Sequence, residues 1–317
     1  MGSVLKFLYR FATPWETAGR SERIKNRILS GLVNHFYSVY CKLTRIESVK
    51  HAANRITDEQ VVVSLTTFPA RIAKVSLCLE SILRQTRPAD KVILWLADTQ
   101  FPNKNSLPSD LKSLEGKGLE IRFCEDLKSY KKFFYTAKEY AGSIIIVADD
   151  DVFYPEDWVE RLLIRHMQHK DCVVCYRAHK ITFTADAVAP YSQWLSAAPG
   201  ATGPAMDLVP TGVGGVLYPV NYFKDVELDI ATIRSLCPTT DDLWLRVVGI
   251  KGGYNVVKLD AYSKDWFKIS GSQKERLTLI NHGKNANDKA MKKLVVYYGI
   301  SIDAIRGIRE KTEFGIS

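Results

Sequence analysis

The chain has 317 residues, of which 46% are hydrophobic and 25% are charged, a composition typical of a soluble globular protein with one large domain or two small ones. No apolar run reaches the roughly 20 residues of a transmembrane helix, and the N-terminus lacks the apolar core of a signal peptide, so we expect a cytoplasmic protein. The net charge of +9 is concentrated in the first 50 residues, which hold nine Lys and Arg against three Glu. This segment lacks the interleaved aromatic residues of a nucleic-acid-binding patch, so no nucleic-acid partner is expected.

Residues 1–58 are predicted to form a basic amphipathic helical leader. Apolar residues recur at helical spacing from Val4 to Phe11 and from Ile24 to Phe36. Three arginines mark a different face of the second helix, at Arg20, Arg23 and Arg27. A helix of this kind binds peripherally to an anionic membrane, here the inner face of the cell membrane, or it packs on the main domain or on a second subunit. The sequence leaves these interpretations open.

Strand and helix patterns alternate within residues 59–260, which are predicted to form the main domain. Strands are predicted at 61–65, 91–96, 119–123, 144–148 and 172–176, and helices at 73–84, 133–140 and 158–169. This alternation predicts an α/β fold with three layers, in which helices cover both faces of a mixed, mostly parallel sheet. A long loop follows at 185–203. Residues 261–317 are predicted to supply a flexible segment and then a helix, which complete the site.

The segment from Ser143 to Asp151 is an uninterrupted apolar run that ends in three carboxylates. Ligands of parallel sheets bind outside the carboxyl ends of the strands, so these acids are expected to face a ligand. If the strand continues that far, its alternation places Asp149 and Asp151 on the same side, where they are able to hold Mn²⁺ or Mg²⁺ and, through the metal, a diphosphate. The alternative is a solvated turn or a helix cap.

A second acidic motif, Thr240-Asp241-Asp242-Leu243, precedes another helical pattern. Two adjacent acids at this position suit proton transfer, but carboxylates also stabilise a helix N-terminus without any chemistry. Lys131 and Lys132 stand before the helix predicted at 133–140, where a cation suits a diphosphate. Two lysines on a solvated face are the alternative.

Three other groups of residues are candidates for the same cleft. Gly212-Val-Gly-Gly215 allows the backbone to approach a ligand closely or forms a plain turn. Arg177 and His179 follow the strand predicted at 172–176. The aromatic residues of the long loop, Tyr191 and Trp194, are able to stack on a sugar or to anchor packing.

In this order the motifs resemble those of GT-A glycosyltransferases, and most closely the family 2-like enzymes of bacterial capsule and lipopolysaccharide assembly. The resemblance covers roughly residues 60–287. The matching segments are Val63–Arg71, Gln85-Thr86, Asp126–Phe133, Asp149–Asp151, Gly212–Gly215 and Thr240–Leu243. The first of these departs from the Pro-x-Tyr-Asn that is usual in the family.

The resemblance implies a role for each matching residue. The implied donor-binding residues are Thr66, Thr67, Arg71, Asp98, Lys131, Lys132, Asp149, Asp150, Gly214 and Gly215. The implied ligands of Mn²⁺ or Mg²⁺ are Asp149, Asp151 and the C-terminal His282. Asp242 matches the general base of inverting members, with Asp241 as its rival, and Asp98 matches an acid that reads uracil and so favours a UDP-sugar.

The expected function is therefore that of a metal-dependent, inverting glycosyltransferase with a GT-A fold. It would move a sugar from a nucleotide-diphosphate donor to a hydroxyl of a surface glycan or lipid-linked glycan. Two alternatives are kept, namely a Mg²⁺-dependent phosphotransferase or nucleotidyltransferase and a non-catalytic glycan-binding protein on a degenerate transferase fold. A phosphotransferase would favour Asp-x-Asp-x-Thr, whereas Val152 and Phe153 follow the triplet here, and a binding protein would not need the second acidic motif.

Overall fold

The computed structural model describes residues 4–14, 16–44, 46, 56–263, 266–272 and 285–308. The strands are β1 (Val61–Thr66), β2 (Lys91–Ala97), β3 (Leu119–Cys124), β4 (Ile144–Val147), β5 (Cys172–Cys175), β6 (Ala178–Lys180), β7 (Leu208–Pro210), β8 (Val216–Tyr218) and β9 (Asn255–Lys258). The helices are α1 (Val4–Tyr9), α2 (Arg20–Leu43), α3 (Val75–Leu83), α4 (Ser109–Ser113), α5 (Lys131–Glu139), α6 (Trp158–Gln168), α7 (Ile230–Leu236), α8 (Asp241–Lys251), α9 (Ala286–Tyr298) and α10 (Ile302–Arg306).

A seven-stranded sheet with the order β3-β2-β1-β4-β8-β5-β9 forms the centre of the fold. All neighbours pair in parallel except β8, which is antiparallel to both β4 and β5. The strands β6 and β7 form a separate antiparallel pair. The predicted mixed, mostly parallel sheet is thus confirmed.

The side chains of β4 show why helices cover both faces of this sheet. Ile144 and Ile146 belong to a core cluster that includes residues of α3 and α6. Ile145 and Val147 belong to a second cluster that includes residues of α5 and α8. Because successive side chains of a strand point to opposite faces, an all-apolar strand needs an apolar layer on each side. The three predicted layers follow from this burial.

Three elements next to charged motifs begin or end elsewhere than the sequence predicts. Strand β4 ends at Val147, so strand alternation does not reach Asp149 and Asp151. Helix α8 begins at Asp241, and α5 begins at Lys131, so the acidic pair and the lysine pair both lie in a first helical turn.

The two leader helices pack on the main domain with one face. Leu5, Tyr9, Val33 and Tyr37 are each at most 5% exposed and share the core cluster of β1. The carboxylate of Glu156 accepts a hydrogen bond from the backbone N–H of Leu5 at 3.0 Å. None of the helices in the described part of the chain is both long and apolar enough to span a lipid bilayer.

Candidate active site

A cleft of about 1110 Å³ opens at the carboxyl ends of β1 and β4. These two strands are parallel neighbours, so the loops that follow them meet at one edge of the sheet. The cleft is lined by ten of the residues that the sequence singles out, namely Thr66, Thr67, Arg71, Lys131, Lys132, Asp149, Asp150, Asp151, Asp241 and Asp242. The two acidic motifs, which are about ninety positions apart in the sequence, therefore share one cavity.

Within the acidic triplet, Asp150 is turned toward the loop after β1. The hydroxyl of Thr67 donates a 2.5 Å hydrogen bond to Asp150, and the guanidinium of Arg71 pairs with the same carboxylate. Burial raises the pKa of Asp150, an effect that Arg71 opposes. Arg71 also lies 3.2 Å from a carboxylate oxygen of Asp151. These contacts join the end of β4 to the loop after β1.

Lys132 connects the two acidic motifs. Its Nζ atom lies 3.4 Å from Asp149 and 2.9 Å from Asp241. Burial lowers the pKa of Lys132, but the attraction of Asp241 and Asp149 outweighs burial, and the net pKa is raised well above the ordinary value. A cation in this position reduces the repulsion between the motifs and holds them together.

Asp242 lies beside the buried Asp241 and is itself half-buried among charged groups. The backbone N–H of Gly212 donates to a carboxylate oxygen of Asp242 at 3.3 Å. Burial raises the pKa of Asp242 to about 7, and the negative charge of Asp241 adds to the effect. A carboxylate that titrates near neutral pH is suited to accept a proton at that pH.

Lys131 and Asp98 have different positions relative to the cleft. Lys131 lines it and pairs with Asp126, which also accepts a hydrogen bond from Gln100 at 3.1 Å. Asp98 is exposed after the end of β2 and is not among the lining residues. The lining residue nearest to Asp98 in sequence is Gln100, which belongs to no motif that would single it out.

The glycine motif lines the cleft through Gly212 and not through Gly214 or Gly215, the two glycines that the resemblance assigns to the donor. A Cβ atom on Gly214 would lie 2.6 Å from the ring of Trp266, and one on Gly215 would lie 2.5 Å from the ring of Trp158. Both glycines have φ above +90°, a conformation that glycine adopts without strain. They are explained by this packing and do not line the cleft, whereas Gly212 does.

A third part of the lining comes from the chain that follows β5. Arg177, His179, Tyr191 and Trp194 line the cleft. In the sequence, these residues are candidates only because two of them follow a predicted strand and the other two lie in a long loop. The remaining candidate, His282, lies outside the described residues.

The carboxylates at the end of β4 fit a hard divalent cation that is bound together with a diphosphate. In the described part of the chain, no three His, Cys, Asp or Glu side chains are grouped so as to hold a metal by themselves. Mg²⁺ commonly uses only one or two carboxylates plus substrate phosphates, and Asp149 and Asp151 both line the cleft. Burial raises the pKa of Asp149, Lys132 lowers it, and repulsion from Asp151 and Asp241 leaves a net upward shift. A further cation would relieve that repulsion.

Comparison with protein-family models and with curated protein sequences gives no match. Among solved structures, the chain is similar to mannosyltransferase PcManGT from Pyrobaculum calidifontis, determined in complex with GDP-Man and Mn²⁺. The identity is 11% and the TM-score 0.50, and the match covers 95% of this chain and 79% of that chain. The fold is GT-A-like. A match to S. aureus TarS residues 1–349 has 16% identity and a TM-score of 0.43, and covers 65% of this chain and 59% of that chain.

Proposed function

We propose that the protein is a metal-dependent, inverting glycosyltransferase. It transfers a sugar from a nucleotide-diphosphate donor to a hydroxyl group of a surface glycan or lipid-linked glycan of the capsule or lipopolysaccharide type. The observation that carries the proposal is the presence of both acidic motifs in one cleft, connected through Lys132. PcManGT, which has the same type of fold, was crystallised with a nucleotide sugar and Mn²⁺.

In this proposal the donor lies at the ends of β1 and β4. Asp149 and Asp151 would hold Mn²⁺ or Mg²⁺, which when bound supplies Lewis-acid stabilisation of the departing diphosphate. Arg71 orients the carboxylates of Asp150 and Asp151, and Thr66 and Thr67 line the donor end of the cleft. The other proposed donor contacts that line the cleft are Lys131, Lys132 and Asp150, whereas Asp98, Gly214 and Gly215 lie outside its lining. His282 is a further proposed metal ligand.

Asp242 acts as the general base of a single displacement. As the acceptor oxygen attacks the anomeric carbon, its proton passes to the Asp242 carboxylate and the bond from that carbon to the diphosphate breaks, which inverts the anomeric centre. The pKa of about 7 leaves a substantial fraction of Asp242 ionised at neutral pH. Lys132 is a positioning residue that keeps Asp241 beside the base.

The proposal is tested by mixing purified protein with nucleotide sugars and measuring the melting temperature of the protein and the release of the nucleoside diphosphate. We expect UDP-sugars or GDP-sugars to raise the melting temperature only when Mn²⁺ is present, because the proposed site binds the diphosphate through the metal. A ligand at about 100 times its Kd stabilises a native protein by about 2.7 kcal/mol. Slow release of the nucleoside diphosphate should accompany binding. The UDP-sugar is the donor we propose, and the GDP-sugar is the comparison. Transfer of a phosphoryl or nucleotidyl group would support the phosphotransferase alternative, and binding of glycans without turnover of any donor would support the binding protein.

We also propose that the leader docks the enzyme on the cytoplasmic face of an anionic membrane. Six apolar side chains of α2 are at least 45% exposed, namely Ile24, Ile28, Leu32, Phe36, Val39 and Leu43. At about 100° per residue they fall within an arc of roughly 120°, which we call the docking face. The buried residues of the same helix, Asn26, Val33 and Tyr37, lie outside this arc.

Positive charge surrounds the docking face and favours an anionic surface over a second copy of the chain. Arg20 and Arg27 lie along one edge of it, and Lys25 and Lys42 lie within its arc by helical geometry, whereas Glu22 is the acidic residue of the helix. Two such faces would repel each other across a symmetric interface. An anionic bilayer instead attracts each nearby Lys or Arg by about 1 kcal/mol.

Substitutions test this docking better than deletion does, because Leu5 and Tyr9 of the leader are buried in the core. The double variant Ile28→Glu, Phe36→Glu is expected to reduce sedimentation with phosphatidylglycerol vesicles at least tenfold, since burying one large apolar side chain contributes about 1.5–3 kcal/mol. Val296→Glu is the matched control, because Val296 is 74% exposed on α9. Equal sedimentation of wild type and double variant would contradict membrane docking. If wild type and Val296→Glu are dimers and the double variant is a monomer, the docking face would instead serve self-association.

A further inference from the structure

Part of the cleft lining is aromatic. The rings of Tyr191 and Trp194 are 4.8 Å apart, and the ring of His179 lies edge-on to Tyr191 at 5.8 Å. The indole N–H of Trp194 donates to the carbonyl of Ala189 at 2.9 Å, and the backbone N–H of Tyr191 donates to Asp288 at 2.7 Å. These bonds hold the rings in place without a ligand, as a stacking surface for a sugar requires.

Arg177 adds a positive charge to this part of the lining. One of its guanidinium nitrogens donates to the hydroxyl of Thr211 at 3.1 Å. Among the other basic residues of the lining, the half-buried Arg71 and the buried Lys131 and Lys132 each lie within 4.0 Å of a carboxylate. No carboxylate of the described residues lies that close to Arg177.

The chemistry of arginine makes this arrangement informative. Burial lowers the pKa of Arg177, but a guanidinium stays charged at neutral pH. A partly buried cation without a carboxylate partner is unfavourable. Its planar fork of donors fits a carboxylate or a phosphate with two parallel hydrogen bonds.

The position of Arg177 places it beside the proposed base and not beside the proposed metal ligands. The backbone N–H of Thr211 donates to the carbonyl of Arg177 at 3.0 Å, and the next residue, Gly212, donates its N–H to Asp242. The charges of Tyr191, Glu16 and Asp242 act on Arg177, whereas the charged partners of Arg71 are Asp150 and Asp151. An anion at Arg177 would therefore belong to the acceptor.

We propose that Arg177, with Tyr191 and Trp194, forms an acceptor subsite for a sugar that carries an oxyanion, either a carboxylate or a phosphate. The subsite rests on the proposed glycosyl transfer, because it uses the position of Asp242 to tell acceptor from donor. The ring of Tyr191, supported from behind by the buried ring of Trp194, holds the apolar face of the sugar, while the guanidinium binds the oxyanion. The acceptor glycan is accordingly acidic.

The test uses three probes with full-length protein, in the presence of UDP and Mn²⁺. Ligand-observed NMR measures the Kd of methyl glucuronide, of glucose 6-phosphate and of neutral methyl glucoside. We expect one of the two anionic probes to bind wild-type protein at least about tenfold more tightly than the neutral probe, the difference made by about 1.4 kcal/mol. The probe that binds more tightly identifies the oxyanion as carboxylate or phosphate. Equal affinity for all three probes would overturn the proposal.

Variants test whether Arg177 causes the preference for an anionic sugar over the neutral one. Arg177→Gln should abolish the preference, and Arg177→Lys should retain part of it, because the charge remains while the fork is lost. Lys128→Gln is the matched control, since Lys128 is an exposed cation of the same cleft, and it should keep the preference. Equal loss in Lys128→Gln and Arg177→Gln would indicate a general effect of charge and overturn the subsite.

The affinity for UDP separates failure of this subsite from failure of the proposed function. Arg177→Gln should bind UDP with Mn²⁺ within twofold of wild type. A large loss of UDP affinity in this variant would move Arg177 to the donor and overturn the acceptor subsite, while leaving glycosyl transfer intact. Wild-type protein that binds neither UDP nor GDP with Mn²⁺ would refute the proposed function itself, whatever its preference for anionic sugars.

Discussion

Replacing Asp242 by asparagine is expected to lower the rate of sugar transfer by roughly 100-fold or more, the usual range for losing a general base. The amide has the size of the carboxyl group and its oxygen still accepts the N–H of Gly212, but it does not take a proton from the acceptor hydroxyl. Donor affinity should stay within a few-fold of wild type. Steady-state kinetics with the donor, together with the stereochemistry of the product, provide the measurement.

The neighbouring residue is the control for this variant. Asp241→Asn should cost less activity, because Asp241 pairs with Lys132 and is not the proposed proton acceptor. The kcat/KM of wild type should rise with pH through about 7, the pKa of Asp242, and Asp242→Asn should lose this limb. Near-normal turnover in Asp242→Asn with a retained anomeric centre would refute the assignment and leave the acidic pair as a helix cap.

Stability provides a second readout of the same variant. The pKa of Asp242 is raised in the folded protein, so the stability associated with its neutral form is fully present below the unfolded pKa and is lost as the pH rises through about 7. Asp242→Asn should therefore melt higher than wild type at pH 8, and the difference should shrink at pH 5. A difference in melting temperature that does not change between these pH values would show that Asp242 is already ionised at pH 5.

Replacing Asp151 by alanine is expected to remove metal-dependent binding of the nucleoside diphosphate. The substitution deletes a proposed oxygen ligand that lines the cleft and no core volume, and Arg71 keeps its pairing with Asp150. Calorimetry with UDP should show a loss of affinity of roughly 100-fold in the presence of Mn²⁺, because removing even an outer-shell partner of a metal ligand costs about 10–100-fold. Without metal, the two proteins should bind UDP about equally.

A carboxylate elsewhere on the surface is the matched control for Asp151. Asp186→Ala removes an exposed acid of the long loop and should leave Mn²⁺-dependent affinity unchanged. Thermal unfolding of Asp151→Ala checks that the fold is intact. Unchanged Mn²⁺-dependent affinity in a folded Asp151→Ala protein would remove the metal site from the end of β4.

The sequence by itself determined the layers of the fold. The apolar run Ile144–Val147 and the run Val61–Leu65 have no polar alternation, so each predicts a strand that is buried on both faces. Their ends then locate the cleft, because parallel strands present their carboxyl ends at one edge of a sheet. Such inferences succeed because periodicity and burial depend on neighbours in the chain.

Only the tertiary structure decided which side chains meet. The contact of Lys132 with Asp149 and Asp241 joins segments that are far apart in sequence, so no local pattern reports it. In the glycine motif, the packing of two tryptophan rings distinguishes Gly214 and Gly215 from Gly212. The leader was ambiguous for the same reason, because amphipathic spacing shows that a helix has an apolar face but not what covers it. The folded chain buries Val33 and Tyr37 and leaves Ile28 and Phe36 exposed, since surface complementarity is a property of two packed elements and not of either sequence alone.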